Sequence, residues 1–167
     1  LARLRNYWVK EPQWKRDTVE IMSADAHLAQ AASEESKGNA EKAASIRGKL
    51  AVSLYSFINA RKPVEAKPEQ AEGSQQVQTG GKTLDQFTPE ELAILEEAYA
   101  KFIPTLLTQG AKQASRVIQF AGEYLKYFPH GSNIDLIRRS INEAEALGGK
   151  AGGKAQSVPP AAEGEVK

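Results

Sequence analysis

The first sixteen residues combine basic and aromatic side chains in a pattern that suits contact with a polyanion. Such side chains neutralise phosphates, and interleaved aromatic rings can stack on bases. The alternative for the bases is that they only keep the chain soluble, whereas for Trp8 and Trp14 we expect a place in the core rather than stacking. We expect contact with DNA through the five basic residues, which stand against the single acid Glu11: Arg3, Arg5, Lys10, Lys15 and Arg16.

No other group of residues has the spacing that catalysis or metal binding requires. Residues 80–83 read Gly-Gly-Lys-Thr, but a phosphate loop needs a glycine where Gln76 stands. His27 and His130 are the only histidines, and neither has a second ligand at metal-binding spacing. Adjacent glutamates point about 100° apart on a helix, so pairs such as 96–97 do not form an acid–base dyad. We expect a non-catalytic protein with no metal and no other cofactor.

The composition indicates an all-α protein in a reducing compartment. Alanine is abundant while valine and isoleucine are scattered, which favours helices over sheets. The net charge is only +1, so total charge indicates no partner. The chain has no cysteine, which fits the cytoplasm, and no apolar run of about 18 residues that could span a membrane. Because residue 1 is Leu rather than Met, the chain is compatible with a fragment or a processed form.

Residues 13–61 have the apolar spacing of two α-helices. Gly38-Asn39 predicts the turn between them, with Asn39 capping the second helix. The short connection makes the helices antiparallel neighbours, but two helices alone cannot close a core. We expect their apolar face to be covered either by the C-terminal half or by sister copies of the chain. Cover by sister copies assigns the oligomer interface to Ile21, Leu28, Ile46, Leu50, Leu54, Phe57 and Ile58.

The rest of the chain predicts a linker, a helical region and a tail. Residues 62–83 are rich in Pro, Gly, Gln and Glu, as is typical of a flexible linker. Thr88-Pro89-Glu90-Glu91 is a capping box that begins a helix, which Pro104 should kink or end. Two further helices are expected, over about 111–128 and 134–147. The predicted fold is all-α, with a basic segment and helical hairpin over 1–61, a linker over 62–83, a three-helix region over 84–147 and a disordered tail over 148–167.

Several segments resemble the small terminase subunits of phages. Residues 7–14, Tyr-Trp-Val-Lys-Glu-Pro-Gln-Trp, look like the end of the recognition helix and the start of the next helix in that family. Residues 38–44 are similar to its central oligomerisation helices, and residues 61–65 to the exit from them. The resemblance covers residues 5–92. It implies a ring-shaped oligomer in the host cell cytoplasm that binds viral DNA through Arg5, Lys10, Lys15 and Arg16, and that recruits and regulates a large ATPase–nuclease subunit.

Two hypotheses for function follow. The first is a homo-oligomeric, DNA-associated assembly protein with no membrane contact, in which the hairpin joins subunits and residues 88–147 dock a larger protein partner. The second is a helical structural subunit or scaffold of a larger complex, without nucleic acid. Residues 121–129 support the second hypothesis, because they resemble the closing helix of a tetratricopeptide-like unit.

Overall fold

The fold is all-helical over the residues that the structure describes. The computed structural model describes residues 12–64 and 81–152, and within these ranges it contains five α-helices and no strand. Short 3₁₀ turns at Leu84–Gln86 and Ala111–Gln113 precede the third and fourth helices. The predicted all-α class and the N-terminal hairpin are therefore confirmed. The helices are α1 (Gln13–Ser36), α2 (Ala40–Arg61), α3 (Pro89–Leu107), α4 (Ala114–Tyr127) and α5 (Ile134–Gly152).

A tight turn joins α1 and α2 into an antiparallel hairpin. Gly38 adopts a φ of 82°, a left-handed conformation that glycine takes without strain, at the predicted turn. Asn39 stands at the N-cap position of α2, but its side chain makes no capping hydrogen bond. Its Nδ2 instead donates to Glu34 Oε2 at 2.9 Å, and Lys42 Nζ lies 3.2 Å from the same oxygen. The predicted side-chain cap is wrong, because the Asn39 amide hydrogen-bonds to Glu34 of α1 instead of to the first turn of α2.

Helix α3 begins where the sequence predicts and continues past its internal proline. Glu91 N donates to Thr88 Oγ1 at 3.2 Å, and Thr88 N donates to Glu91 Oε2 at 3.0 Å, which completes the capping box. Pro104 lies inside the helix, which ends at Leu107. Of the two predicted effects of this proline, an end of the helix is wrong, and a kink stays a prediction. Its neighbours Ile103 and Leu106 are buried, so tertiary packing outweighs the loss of one backbone donor.

The five helices share one hydrophobic core, in which α3 is central and contacts each of the other four. The middle of the core is aromatic. The rings of Phe102 on α3 and Phe120 on α4 meet edge to face with centroids 4.9 Å apart, and Tyr99 packs beside them with no exposed surface. The C-terminal half of the chain thus covers the apolar face of the hairpin.

Two predicted boundaries differ in the structure. Val64 N donates to Lys82 O at 3.0 Å, so the residues on either side of 65–80 lie next to each other. Helix α5 continues to Gly152 instead of ending at residue 147. Gly148 lies within this helix and close to Ala114 at the start of α4, where an added Cβ would be 3.7 Å from the alanine Cβ. Residues 65–80 of the predicted linker and 153–167 of the predicted tail lie outside the described residues.

Candidate functional site

The described part of the basic segment forms the first turn of α1. Trp14, Lys15 and Arg16 follow Pro12, which occupies the N-cap position with φ −52° and ψ 145° and provides no side-chain cap. The first turn contains no acidic residue. A helix N-terminus carries partial positive charge, which ordinarily favours acids at this position. Two cations here have the same sign as this end of the helix dipole, an arrangement that favours anions over further cations at the start of α1.

Asp17, the first acid of α1, does not offset these cations, because Arg61 neutralises it. Arg61 Nε and Nη2 donate to the two carboxylate oxygens of Asp17, each at 2.7 Å, and Gln13 Nε2 donates to Oδ1 at 2.7 Å. Asp17 is only 6% exposed. The Arg61 guanidinium also lies 4.0 Å from the centroid of the Phe57 ring. This bidentate pair joins the start of α1 to the end of α2 and closes the open end of the hairpin.

Two of the five basic residues that are predicted to contact DNA lie within the described residues. Lys15 is exposed, and its Nζ lies 5.8 Å from the centroid of the Trp14 ring. Arg16 is half-buried and donates to Gln13 Oε1 through Nη2. Trp14 is also half-buried, which is less than the predicted core anchor requires. The other basic and aromatic residues of the segment lie outside the described residues: Arg3, Arg5, Lys10, Tyr7 and Trp8.

The residues predicted to join sister copies lie mostly inside the single chain. Five of them are at most 6% exposed and belong to the shared core: Ile21, Leu50, Leu54, Phe57 and Ile58. Leu28 and Ile46 are partly buried. This corrects the expectation that sister copies cover these residues, because α3 and its neighbours do so within the chain. A contact between copies through the five buried side chains would require the core to open.

A groove runs between α1 and α2, and its lining residues within 12–64 and 81–152 all belong to these two helices. Its volume is about 440 Å³. The floor is apolar and includes Ala24, Ile46, Leu50 and Leu54. The rim is polar, and its exposed His27 places Nδ1 2.8 Å from a backbone oxygen one turn earlier on the helix. The rim residues are Glu20, Ser23, His27, Gln30, Lys49 and Ser53.

A buried tyrosine links α3, α4 and the end of α2. Tyr99 OH donates to Glu123 Oε2 at 3.0 Å, and Lys62 Nζ lies 3.4 Å from the same oxygen. Burial, followed by the charge of Glu123, raises the pKa of Tyr99 far above its usual value. The hydroxyl therefore stays protonated and acts as a donor that holds the helices together.

A second polar cluster fixes the turn between α4 and α5 to α3. Glu96 Oε1 accepts hydrogen bonds from Tyr124 OH at 2.8 Å, from Ser132 Oγ at 3.0 Å and from Asn133 N at 3.4 Å. Burial opposes ionisation of Glu96, but these hydrogen bonds outweigh it and lower the pKa below the ordinary 4.5. Burial, and then the hydrogen bond to Glu96, raises the pKa of Tyr124. Sequence reasoning missed both clusters, because their members are too far apart in the chain to form a motif.

The described residues contain no group of three histidine, cysteine, aspartate or glutamate side chains that could hold a metal ion. None of the described helices has the length and apolarity needed to cross a bilayer. Comparison of the chain with protein-family models, with curated proteins and with solved structures finds no match in any of the three. A function for this chain must therefore follow from its own surface.

Proposed function

We propose that this chain is a non-catalytic, DNA-associated assembly protein, as its resemblance to small terminase subunits implies. The observation that carries the proposal is the concentration of cations at the N-terminal end of α1. Lys15 and Arg16 occupy the first turn, where the dipole already favours anions, and the nearest acid of α1 is neutralised by Arg61. Arg3, Arg5 and Lys10 precede them in the chain and extend the same basic segment.

The mechanism is contact with the phosphate backbone from a rigid helix end. The pair between Asp17 and Arg61 fixes the start of α1 on α2, so Lys15 and Arg16 are presented by an ordered element. Phosphate contacts set position and orientation without reading sequence. The half-buried ring of Trp14 gives this end an apolar surface beside the cations. We therefore expect binding to duplex DNA that is weakly dependent on sequence and strongly dependent on salt.

The test is a salt titration of DNA affinity, measured by fluorescence anisotropy with a labelled duplex. The slope of log affinity against log salt falls by about 1 for each phosphate contact removed. The double variant Lys15→Ala, Arg16→Ala should therefore lower the slope by about 2. Its matched control is Arg138→Ala, Arg139→Ala, which removes two adjacent exposed cations from α5.

The control should leave both affinity and slope unchanged. The triple variant Arg3→Ala, Arg5→Ala, Lys10→Ala should lower the slope by about 3. DNA affinity that does not change with salt, or equal losses in the α1 and α5 variants, would contradict the proposed contact.

The assembly part of the proposal is supported by apolar side chains that remain on the surface of the hairpin. Val19 and Met22 on α1 are 49% and 65% exposed, and Val52 on α2 is 67% exposed. The first two are three residues apart on one helix, so they are neighbours on its surface. Such residues can mediate contact between copies, whereas the buried core residues cannot without unfolding. Docking of a larger protein through residues 88–147 belongs to the same proposal.

Native mass by light scattering at two salt concentrations tests assembly. A large fixed multiple of 18.2 kDa that is reduced by Met22→Gln and Val52→Gln would support it. A monomer at both salt concentrations would contradict it. A stable oligomer that does not bind DNA would favour the alternative of a helical structural subunit.

A further inference from the structure

The side of α1 that faces away from the rest of the chain is apolar along much of its length. Helix α1 packs inward through side chains seven residues apart, since Asp17, Ala24 and Ala31 are at most 6% exposed. Residues two and five positions after these lie on the opposite side of the helix. They are exposed and form what we call the outer seam: Val19, Met22, Ala26, Ala29 and Ser33. A surface helix ordinarily turns polar residues outward, so this seam is unusual.

The spacing of the outer seam suits a second helix laid along it. Its residues follow one another at alternating steps of three and four, as in helices that pair side by side in coiled coils. Val19 and Met22 are its two large side chains and are 49% and 65% exposed. Covering them with another helix removes apolar surface from water, which favours association. The α1 helix of a second copy has the same spacing.

Charged side chains next to the outer seam supply complementary groups for such a contact. Lys15 is exposed and lies on the line of the seam, one turn before its first residue. Asp25 borders the seam and is 61% exposed. Lys101 pairs with both Asp25 and Glu97, so these three side chains together carry one net negative charge. The cation of one copy can therefore be attracted to this acidic place on another copy.

The apolar and the charged residues agree on one arrangement of two copies. In an antiparallel pair of α1 helices, Val19 lies opposite Met22 of the second copy when Lys15 lies opposite its Asp25. The midpoint of the first two positions and the midpoint of the other two are less than about 1 Å apart along the helix, so one two-fold axis satisfies both. Each contact then occurs twice. A parallel pair would instead place each lysine against the lysine of the other copy.

We propose that two copies of this chain pair through the outer seam, with their α1 helices antiparallel and Lys15 of each copy against Asp25 of the other. This inference rests on the assembly part of the proposed function and names its surface. The two helices overlap over about 24 Å, which buries less surface than a standard interface of about 1,600 Å². We therefore expect a reversible dimer, and any larger assembly that contains this contact has an even number of chains.

Sedimentation equilibrium of the full chain over a series of concentrations, without DNA, tests the charged contact. Lys15→Glu and Asp25→Lys each place like charges across the contact twice, so each should raise the Kd of the dimer about tenfold. The double variant Lys15→Glu, Asp25→Lys restores opposite charges and should return the Kd to that of the parent chain. A parallel pair would not be restored, because like residues would still face each other. Failure of the double variant to restore the dimer would overturn the proposal.

Disulfide trapping tests the apolar contact, since the chain has no cysteine of its own. Chains that carry Val19→Cys are mixed with chains that carry Met22→Cys and oxidised mildly. The matched control replaces the second chain by His27→Cys, an exposed position of α1 that points about 140° away from Met22. We expect the mixed disulfide to form much faster with Met22→Cys than with His27→Cys. Equal rates would overturn the proposal.

The outcomes separate this inference from the proposed function. A dimer that Lys15→Glu weakens and the double variant restores supports the outer seam, even if no larger assembly forms. An oligomer that the charge variants leave unchanged overturns the pairing of α1 and leaves assembly intact. A chain that is monomeric at every concentration overturns both. Neither measurement contains DNA, so the failure of the proposed phosphate contact would change none of these results.

Discussion

The pair between Asp17 and Arg61 provides the sharpest test of how the hairpin is held. Asp17→Asn keeps the size of the side chain and removes its charge. The guanidinium of Arg61 then loses an ionised partner that accepts two hydrogen bonds at 2.7 Å. The same change weakens the hydrogen bond from Gln13, which lies one turn earlier on α1. We expect the first turns of α1 to separate from the end of α2.

The magnitude follows from the exposure of the two side chains, which is 8% for Asp17 and 27% for Arg61. An exposed ion pair contributes at most about 1 kcal/mol, whereas breaking a fully buried pair costs about 3–5 kcal/mol. This pair lies between these limits and has bidentate geometry, so Asp17→Asn should lower the free energy of unfolding by about 2 kcal/mol. For a chain of this size, that loss corresponds to a fall in Tm of about 4–8 °C.

The assay is urea unfolding followed by far-UV circular dichroism, with Asp25→Asn as the matched control. Asp25 lies on the same helix and is also paired with a cation, Lys101, but its side chain is 61% exposed. The control should cost less than about 0.5 kcal/mol. Arg61→Met completes a double-mutant cycle, with an expected coupling to Asp17→Asn of about 1–2 kcal/mol. Equal losses at the two aspartates, or a coupling near zero, would refute the reasoning.

Two further predictions concern α3. Glu96→Gln should flatten the acid limb of a stability–pH profile measured by urea unfolding. The pKa of Glu96 is lower in the folded chain than the ordinary value of about 4.5, so its ionised carboxylate stabilises the fold fully above that ordinary pKa. This contribution to the free energy of unfolding is lost as the pH falls through the pKa of the folded chain. A stability–pH profile of the variant that runs parallel to that of the parent chain would contradict this. Pro104→Ala should raise the free energy of unfolding by about 1–2 kcal/mol, measured by calorimetry, because it restores a backbone donor to Ala100 O inside a helix that already continues to Leu107. A fall in Tm would show that the proline ring contributes packing that alanine does not replace.

The candidate site could be predicted only in part from the sequence. The cations Lys15 and Arg16 were visible as a cluster, because charge patterning needs no fold to be recognised. The neutralisation of Asp17 could not be predicted, since its partner lies 44 residues away. The groove was equally hidden, because it exists only when two helices lie side by side.

The sequence by itself determined the local elements of this protein. Gly38 ends α1 because glycine takes a positive φ without strain, and the Thr88–Glu91 box begins α3 because both partners of each hydrogen bond lie within one turn. Only the tertiary structure decided what covers the hairpin. The apolar spacing of α2 shows that Leu54 and Phe57 must be buried, but hydrophobic burial is non-directional and does not select between another segment and another chain. The packing of α3 across both helices made that choice, and it also carried the helix past Pro104.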